Sequence, residues 1–197
     1  MRDLDSHQRL GVIMLLAVIC GAIGWVWEFI ITEFQGGFSH LYVKGGNFLP
    51  WINMYAYGAI LILLVTRNFR DQPLLVFLSS AVSCGIFELL TGCLIYALND
   101  GARYWDYTTA WWGIGNINGW VCPASVIAFG FGALALIYFL LPRCVTLAKY
   151  TPKRTFLAFV TVLFSLILID DLTNLLWKLS GHPTAIDYYL SKGWHKL

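Results

Sequence analysis

The chain has 197 residues, 58% of them hydrophobic and 12% charged, with a net charge of +2. Soluble domains carry about 25% charged residues, so the composition excludes an ordinary soluble fold, and the near-neutral balance gives no reason to expect a nucleic-acid partner. The charges fall between long apolar runs, and many of the nine tryptophans and ten tyrosines sit at run edges, where a ring with one polar atom suits the bilayer–water boundary.

A hydrocarbon core of about 30 Å needs roughly 20 apolar residues in a helix. Five stretches qualify, giving an all-α polytopic membrane bundle and a single integral membrane domain over 1–197. The first, 10–31, contains Glu28. It follows Arg2 and Arg9 but is too long for a signal-peptide core and lacks a small-x-small cleavage site. The second, 48–65, is short and opens with Pro50, acceptable in a first helical turn. The third, 73–96, contains Glu88. The fourth, 121–141, carries Ala124, Ala128 and Gly132 as a ridge of small residues suited to helix packing. The fifth, 155–177, contains Asp170 and Asp171.

Lys and Arg in the short loops set the orientation. With the N-terminus inside, the cytoplasmic segments hold Arg2, Arg9, Arg67, Arg70, Arg143, Lys149, Lys153 and Arg154. The outer segments hold Lys44, Arg103, Lys178, Lys192 and Lys196. The expected topology is N-in, C-out, in the bacterial cytoplasmic membrane. The tail 181–197, with Tyr188, Tyr189 and Trp194, is expected along the outer interface.

Ionisable groups inside a membrane are costly and mark function by default. Glu28 lies about 27 Å along its helix from the inner end, and Glu88 and Asp170 about 22 Å along theirs. All three fall in the outer third of the core, and Asn53, Tyr55 and Tyr57 reach a similar level from outside. Polar and small residues share the acid-bearing faces: Gly21, Gly24, Trp25 and Thr32 with Glu28; Ser80, Cys84, Thr91 and Gly92 with Glu88; Thr173, Asn174 and Trp177 with Asp170. Asp171 reads as a hydrated boundary residue. The expectation is a shared hollow lined by Glu28, Glu88 and Asp170.

Two outer loops, 32–47 and 97–120, are long for connectors. The first has Gly36, Gly37, Gly45 and Gly46. The second has Trp105, Asp106 and Tyr107, then Trp111 and Trp112, then Asn116, Asn118 and Trp120. Such segments either roof the acidic layer, with Asp106, Asn116 and Asn118 adding polar contacts, or form an aromatic belt at the interface. A weak internal echo pairs Glu28 and Tyr57-Gly58-Ala59 with Glu88 and Phe131-Gly132-Ala133. It fits a parallel repeat or chance similarity between apolar segments.

The five cysteines show no disulfide or zinc spacing. Cys93 and Cys122 both lie near outer helix ends, where a bridge is geometrically open, but free thiols are the preferred reading. His40, His182 and His195 lack metal-ligand spacing. Without a Walker A loop, HExxH, GxSxG or Rossmann fingerprint, no catalytic residue, metal or cofactor is assigned.

The runs Gly24-Trp25-Val26-Trp27-Glu28, Leu49-Pro50, Tyr55-Ala56-Tyr57-Gly58-Ala59, Phe87-Glu88-Leu89-Leu90-Thr91-Gly92, Trp105-Asp106-Tyr107 and Asn116-Ile117-Asn118-Gly119 make the chain resemble the CmpB-like, type IV group of ABC-transporter permeases. It departs from that group between Asn53 and Gly58, where a proline and a glycine are missing. It departs again at Trp120, where the group usually has arginine. The resemblance implies a transporter or permease-like protein, with an ATPase subunit supplied by another chain and the basic segment 143–154 as its contact. A homo- or hetero-oligomer is expected. The expected ligand is a cation, a proton or a cationic group of a small solute. Its contacts are Glu28, Glu88 and Asp170, with Asn53, Tyr55, Thr91, Trp105, Asp106, Tyr107 and Asn118. The alternatives are an intramembrane enzyme acting on a lipid or envelope substrate, and a non-catalytic accessory or scaffold subunit.

Overall fold

The computed structural model describes residues 3–36, 40–98, 101, 103–110 and 112–195. Arg2, Gly37, Trp111 and Lys196, singled out above, lie outside the described residues. Helices account for the regular structure: α1 (Ser6–Gln35), α2 (Asn53–Val65), α3 (Pro73–Leu98), α4 (Pro123–Ala135), a π turn (Leu136–Leu140), α5 (Leu141–Tyr150), α6 (Lys153–Leu179) and α7 (Ala185–Ser191). Two isolated β-bridges, Tyr42 with His195 and Ile117 with Val121, are the strand-like pairings among the described residues.

Four helices are long and apolar enough to cross a membrane: Ser6–Gln35, Pro73–Leu98, Pro123–Tyr150 and Lys153–Leu179. This is the architecture of a polytopic helix bundle. The expected second span is shorter than the sequence suggests. Residues 48–52 are not helical, and α2 has 13 residues, about 20 Å of rise. Pro50 therefore stands in the non-helical approach to α2 rather than in its first turn.

The fourth span extends beyond 141. The helix continues through Pro142 to Tyr150, so most of the basic segment 143–154 is helical. Pro142 has no N–H and would crowd the carbonyl four residues earlier. The preceding turn widens accordingly, and the Leu141 N–H reaches back five residues to Leu136. At the first helix, Asp5 and Gln8 form a reciprocal capping box.

The chain divides into two compact units, Met1–Tyr57 with Arg143–Leu197, and Gly58–Pro142. In unit 1, α1 packs on α6. Gly11 makes room for the Phe156 ring, since a Cβ there would come within 2.8 Å of it, and Val12, Leu16, Phe156 and Val160 are buried. Lys149 pairs with Asp3 at 2.6 Å and Lys153 with Asp5 at 2.8 Å. The N-terminus and the α5–α6 turn thus share one end of this unit. The C-terminal tail folds onto the first long loop: the His195 N–H donates to the Leu41 carbonyl, and the Tyr189 hydroxyl to the Phe48 carbonyl at 2.7 Å.

In unit 2, α3 packs on α4, with Gly130 against the Phe77 ring and Val76 and Ala133 fully buried. The ridge of Ala124, Ala128 and Gly132 does not make this contact. All three are exposed, and the buried small residues are Gly130 and Ala133. Small residues recur at three- and four-residue steps on more than one face of α4, so spacing alone could not choose the face. All five cysteines are free.

Candidate functional site

Six carboxylates are divided between the two units: Glu28, Glu33, Asp170 and Asp171 in unit 1, Glu88 and Asp106 in unit 2. In unit 1, Glu28 accepts a 2.6 Å hydrogen bond from the Tyr55 hydroxyl. The approach depends on glycine: a side chain at Gly24 would collide with the Tyr55 ring, and one at Gly21 would strike Trp51. Two small residues one helical turn apart on α1 thus seat the two aromatics that precede and open α2. The Ile52 N–H also bonds the Gly21 carbonyl at 3.1 Å. The second oxygen of Glu28 accepts no hydrogen bond among the described residues.

Asp170, also in unit 1, is used differently. Its Oδ1 accepts the backbone N–H of Phe48 at 3.1 Å and its Oδ2 that of Leu49 at 2.7 Å, while the Asn174 amide adds a third bond at 2.9 Å. Asp171 accepts the side-chain amides of Asn47 at 2.6 Å and Asn53 at 2.8 Å. Non-helical backbone near an apolar layer must have its donors satisfied, and these two acids satisfy the segment that leads into α2. Asn53 therefore serves Asp171.

Glu33 and Lys44 form a second polar centre in unit 1, an ion pair with side chains 3% and 1% exposed. Glu33 also accepts the Tyr42 N–H at 3.1 Å. The Lys44 ammonium faces the Phe29 ring at 4.5 Å, an arrangement favourable to a desolvated cation. Sequence reading missed Glu33 because the first span was ended at Ile31; α1 continues to Gln35 and keeps Glu33 on its inner surface.

In unit 2, buried Glu88 receives the Tyr107 hydroxyl on Oε1 and the Ser125 hydroxyl on Oε2, each at 2.8 Å. Ser125 is the third residue of α4, whose start is set by Pro123 in the first turn behind the Cys122 cap. Its hydroxyl also lies 2.9 Å from the Cys122 carbonyl, so its one proton serves one acceptor at a time. Burial first, and the adjacent Glu88 next, push the Tyr107 phenol well above its ordinary value. Tyr107 therefore stays protonated and available as a donor. Thr91 spends its hydroxyl on the Phe87 carbonyl within α3.

The loop after α3 supports Tyr107. The Tyr107 N–H bonds the Gly119 carbonyl at 2.9 Å, and Trp105 Nε1 bonds the Trp120 carbonyl at 2.8 Å. Asn118 and Gly119 both have positive φ, +50° and +76°. They form a tight turn closed by the Trp120 N–H to the Ile117 carbonyl, a conformation suited to Asn-Gly. Asp106 is raised by burial but pulled below its ordinary value overall by the Thr108 hydroxyl and N–H and by Arg103. Where the resemblance expects arginine after Asn-Gly, this chain has Trp120, and the Arg103 guanidinium lies on its ring.

The expected site residues thus fall into two groups. Glu28, Asn53, Tyr55 and Asp170 belong to unit 1, and Glu88, Thr91, Trp105, Asp106, Tyr107 and Asn118 to unit 2. Direct carboxylate contacts join Glu28 to Tyr55 and Glu88 to Tyr107. Ser125, Glu33 and Lys44 are additions made by the structure.

Comparison with curated proteins and with solved structures finds no match. A family model described as "Putative ABC-transporter type IV" matches residues 15–175. That range takes in most of α1, all of α2 to α5 and most of α6, with Glu28, Glu33, Glu88, Asp106, Asp170 and Asp171. The chain therefore belongs to the ABC-transporter type IV family and is a multi-pass, transporter-like membrane protein.

Proposed function

We propose that this chain is the membrane-embedded, permease-like subunit of a transporter and that Glu28 is its principal cation- or proton-binding group, with Glu88 as a second such group in unit 2. The observation that carries this reading is the unequal use of the acids. Asp170 has both oxygens committed to backbone N–H groups, whereas Glu28 takes the Tyr55 hydroxyl on one oxygen and, among the described residues, no hydrogen bond on the other. A carboxylate placed in an apolar helix with an open acceptor is matched to a cation, a proton or the ammonium group of a small solute. Glu88 accepts the Tyr107 and Ser125 hydroxyls, which can turn from donating to accepting as a ligand or proton arrives.

Membership of the family supports a separate ATPase chain as the energy source. The 143–154 segment remains the favoured contact. Within it, Lys149 and Lys153 are paired with Asp3 and Asp5. The bacterial cytoplasmic membrane and the N-in, C-out topology are part of the same reading. Asp170 and Asp171 favour a scaffold role for those two residues.

The test is a thermal-shift titration of purified protein with sodium, potassium, magnesium and tetramethylammonium, repeated across pH. Wild-type protein should show saturable stabilisation by one of these cations or by protons. Glu28→Gln should remain folded and lose that response, and Glu88→Gln should weaken it. Equal responses from wild type and both variants would end the proposal.

A further inference from the structure

Unit 2 contains a concavity of about 480 Å³ lined by Cys93, Tyr96, Arg103, Thr108, Asn118 and Trp120, within the size range of small-ligand pockets, about 300–1,000 Å³. Its centre is Arg103. The guanidinium carbon lies over Trp120, 4.1 Å from the ring centroid, and 5.8 Å from that of Tyr96. Nη1 donates to the Asn118 carbonyl at 2.8 Å and stands 3.3 Å from Asp106 Oδ2. The turn is shaped for this. Asn118 accepts positive φ to present its carbonyl, and a side chain at Gly119 would come within 2.5 Å of Nη1.

Nε and Nη2 make no hydrogen bond among the described residues. The guanidinium therefore offers a planar, unused donor edge to the concavity, the geometry in which arginine binds phosphate. The carboxylate of Asp106 is 33% exposed beside it. The pair is electrically neutral but strongly bipolar. A lone anion placed there meets Asp106, and a lone cation meets Arg103. A zwitterion can satisfy both, with its anionic group on Arg103 and its ammonium toward the carboxylate of Asp106. One wall continues onto the exposed surface of α3, where Cys93, Ile86, Leu90 and Leu94 are all exposed. The concavity is thus polar at one side and open to an apolar stripe at the other.

From these features we infer that unit 2 carries a binding site for a zwitterionic phospholipid of the phosphoethanolamine type. The phosphate sits on the Arg103 edge, the ammonium faces Asp106, and the acyl chains run along Ile86, Leu90 and Leu94. The site is separate from the carboxylate reading above and stands or falls independently of it.

Native mass spectrometry of purified, delipidated protein tests this by adding back phosphatidylethanolamine or phosphatidylglycerol. Phosphatidylethanolamine should be retained in preference, and Arg103→Gln should reduce its retention by about tenfold or more, the scale of a lost charge-assisted contact. Arg103→Lys should recover little, because it lacks the planar edge. Circular dichroism checks the fold of both variants. If Arg103→Gln does not fold, the wild-type preference decides. Soluble phosphoethanolamine separates headgroup from lipid: it should stabilise the protein far less than the lipid does. Equal retention of the two lipids by wild type, full retention by a folded Arg103→Gln, or equal stabilisation by the soluble zwitterion would each overturn the assignment.

Discussion

Asp170 in unit 1 and Glu88 in unit 2 are both buried carboxylates on long apolar helices, 6% and 5% exposed, and they are held in opposite ways. Asp170 is fastened by backbone N–H groups of Phe48 and Leu49. Glu88 is fastened by the side-chain hydroxyls of Tyr107 and Ser125. The backbone cannot turn its donor round, so an acid that holds backbone is a piece of scaffold. A hydroxyl can donate or accept, so an acid held by hydroxyls can change its protonation or ligand without stranding a donor. Equal burial therefore does not mean an equal role. Glu28, with one hydroxyl partner, stands on the exchangeable side with Glu88.

The strongest way to test the scaffold side of this contrast is the other buried polar centre of unit 1. Lys44→Met would leave Glu33 buried without its cation. Breaking a buried pair from one side costs about 3–5 kcal/mol, which should appear as a large fall in unfolding midpoint in detergent. A double variant, Lys44→Met with Glu33→Leu, should recover much of the loss. If the single variant unfolds like wild type, the pair is not part of the scaffold.

A direct comparison comes next. Asp170→Ala strands two backbone donors and should lose about 2–4 kcal/mol, since an unsatisfied buried donor costs roughly 1–3 kcal/mol. Glu88→Gln keeps one acceptor oxygen and puts an NH2 donor in place of the other, toward which one hydroxyl can turn its lone pair, and should lose about 1 kcal/mol or less. Measured stabilities in the reverse order would dismantle the distinction between the two acids.

The smallest expected effect concerns the loop that supports Tyr107. Asp106 is held below its ordinary value in the folded loop. Its contribution is therefore present above the usual carboxylate range and is lost as the pH falls through the depressed value. One-third exposure to solvent keeps the effect modest. Acid unfolding of wild type should show this loss, and Asp106→Asn should flatten that part of the curve.

Much of the bundle was legible because the bilayer imposes a strict length and polarity rule. Four long helices cover four of the five expected spans, and the apolar runs alone mark them. The short second helix was harder. Its approach, residues 48–52, is as apolar as a span, and nothing in its composition says that the backbone there is tied to Asp170 instead of to itself. The end of α1 was set too early because polar residues such as Thr32, Glu33 and Gln35 look like a loop, although Thr32 and Glu33 are buried. The acid-bearing faces of α1 and α3 were readable from their glycines, and Gly24 and Gly92 do face aromatic side chains. The face of α4 was not, because its small residues form more than one stripe.

Residue order alone settles that this is a multi-pass helical protein of its transporter family, since hydrophobic length and motif content are local properties of the chain. Which carboxylate is scaffold and which keeps a replaceable partner was decided only in three dimensions. The partners come from far along the chain: Phe48 and Leu49 reach Asp170, Tyr55 reaches Glu28, and Ser125 reaches Glu88. Hydrogen-bond satisfaction is a property of the fold, and a single acidic letter in an apolar run carries no record of which donor will meet it.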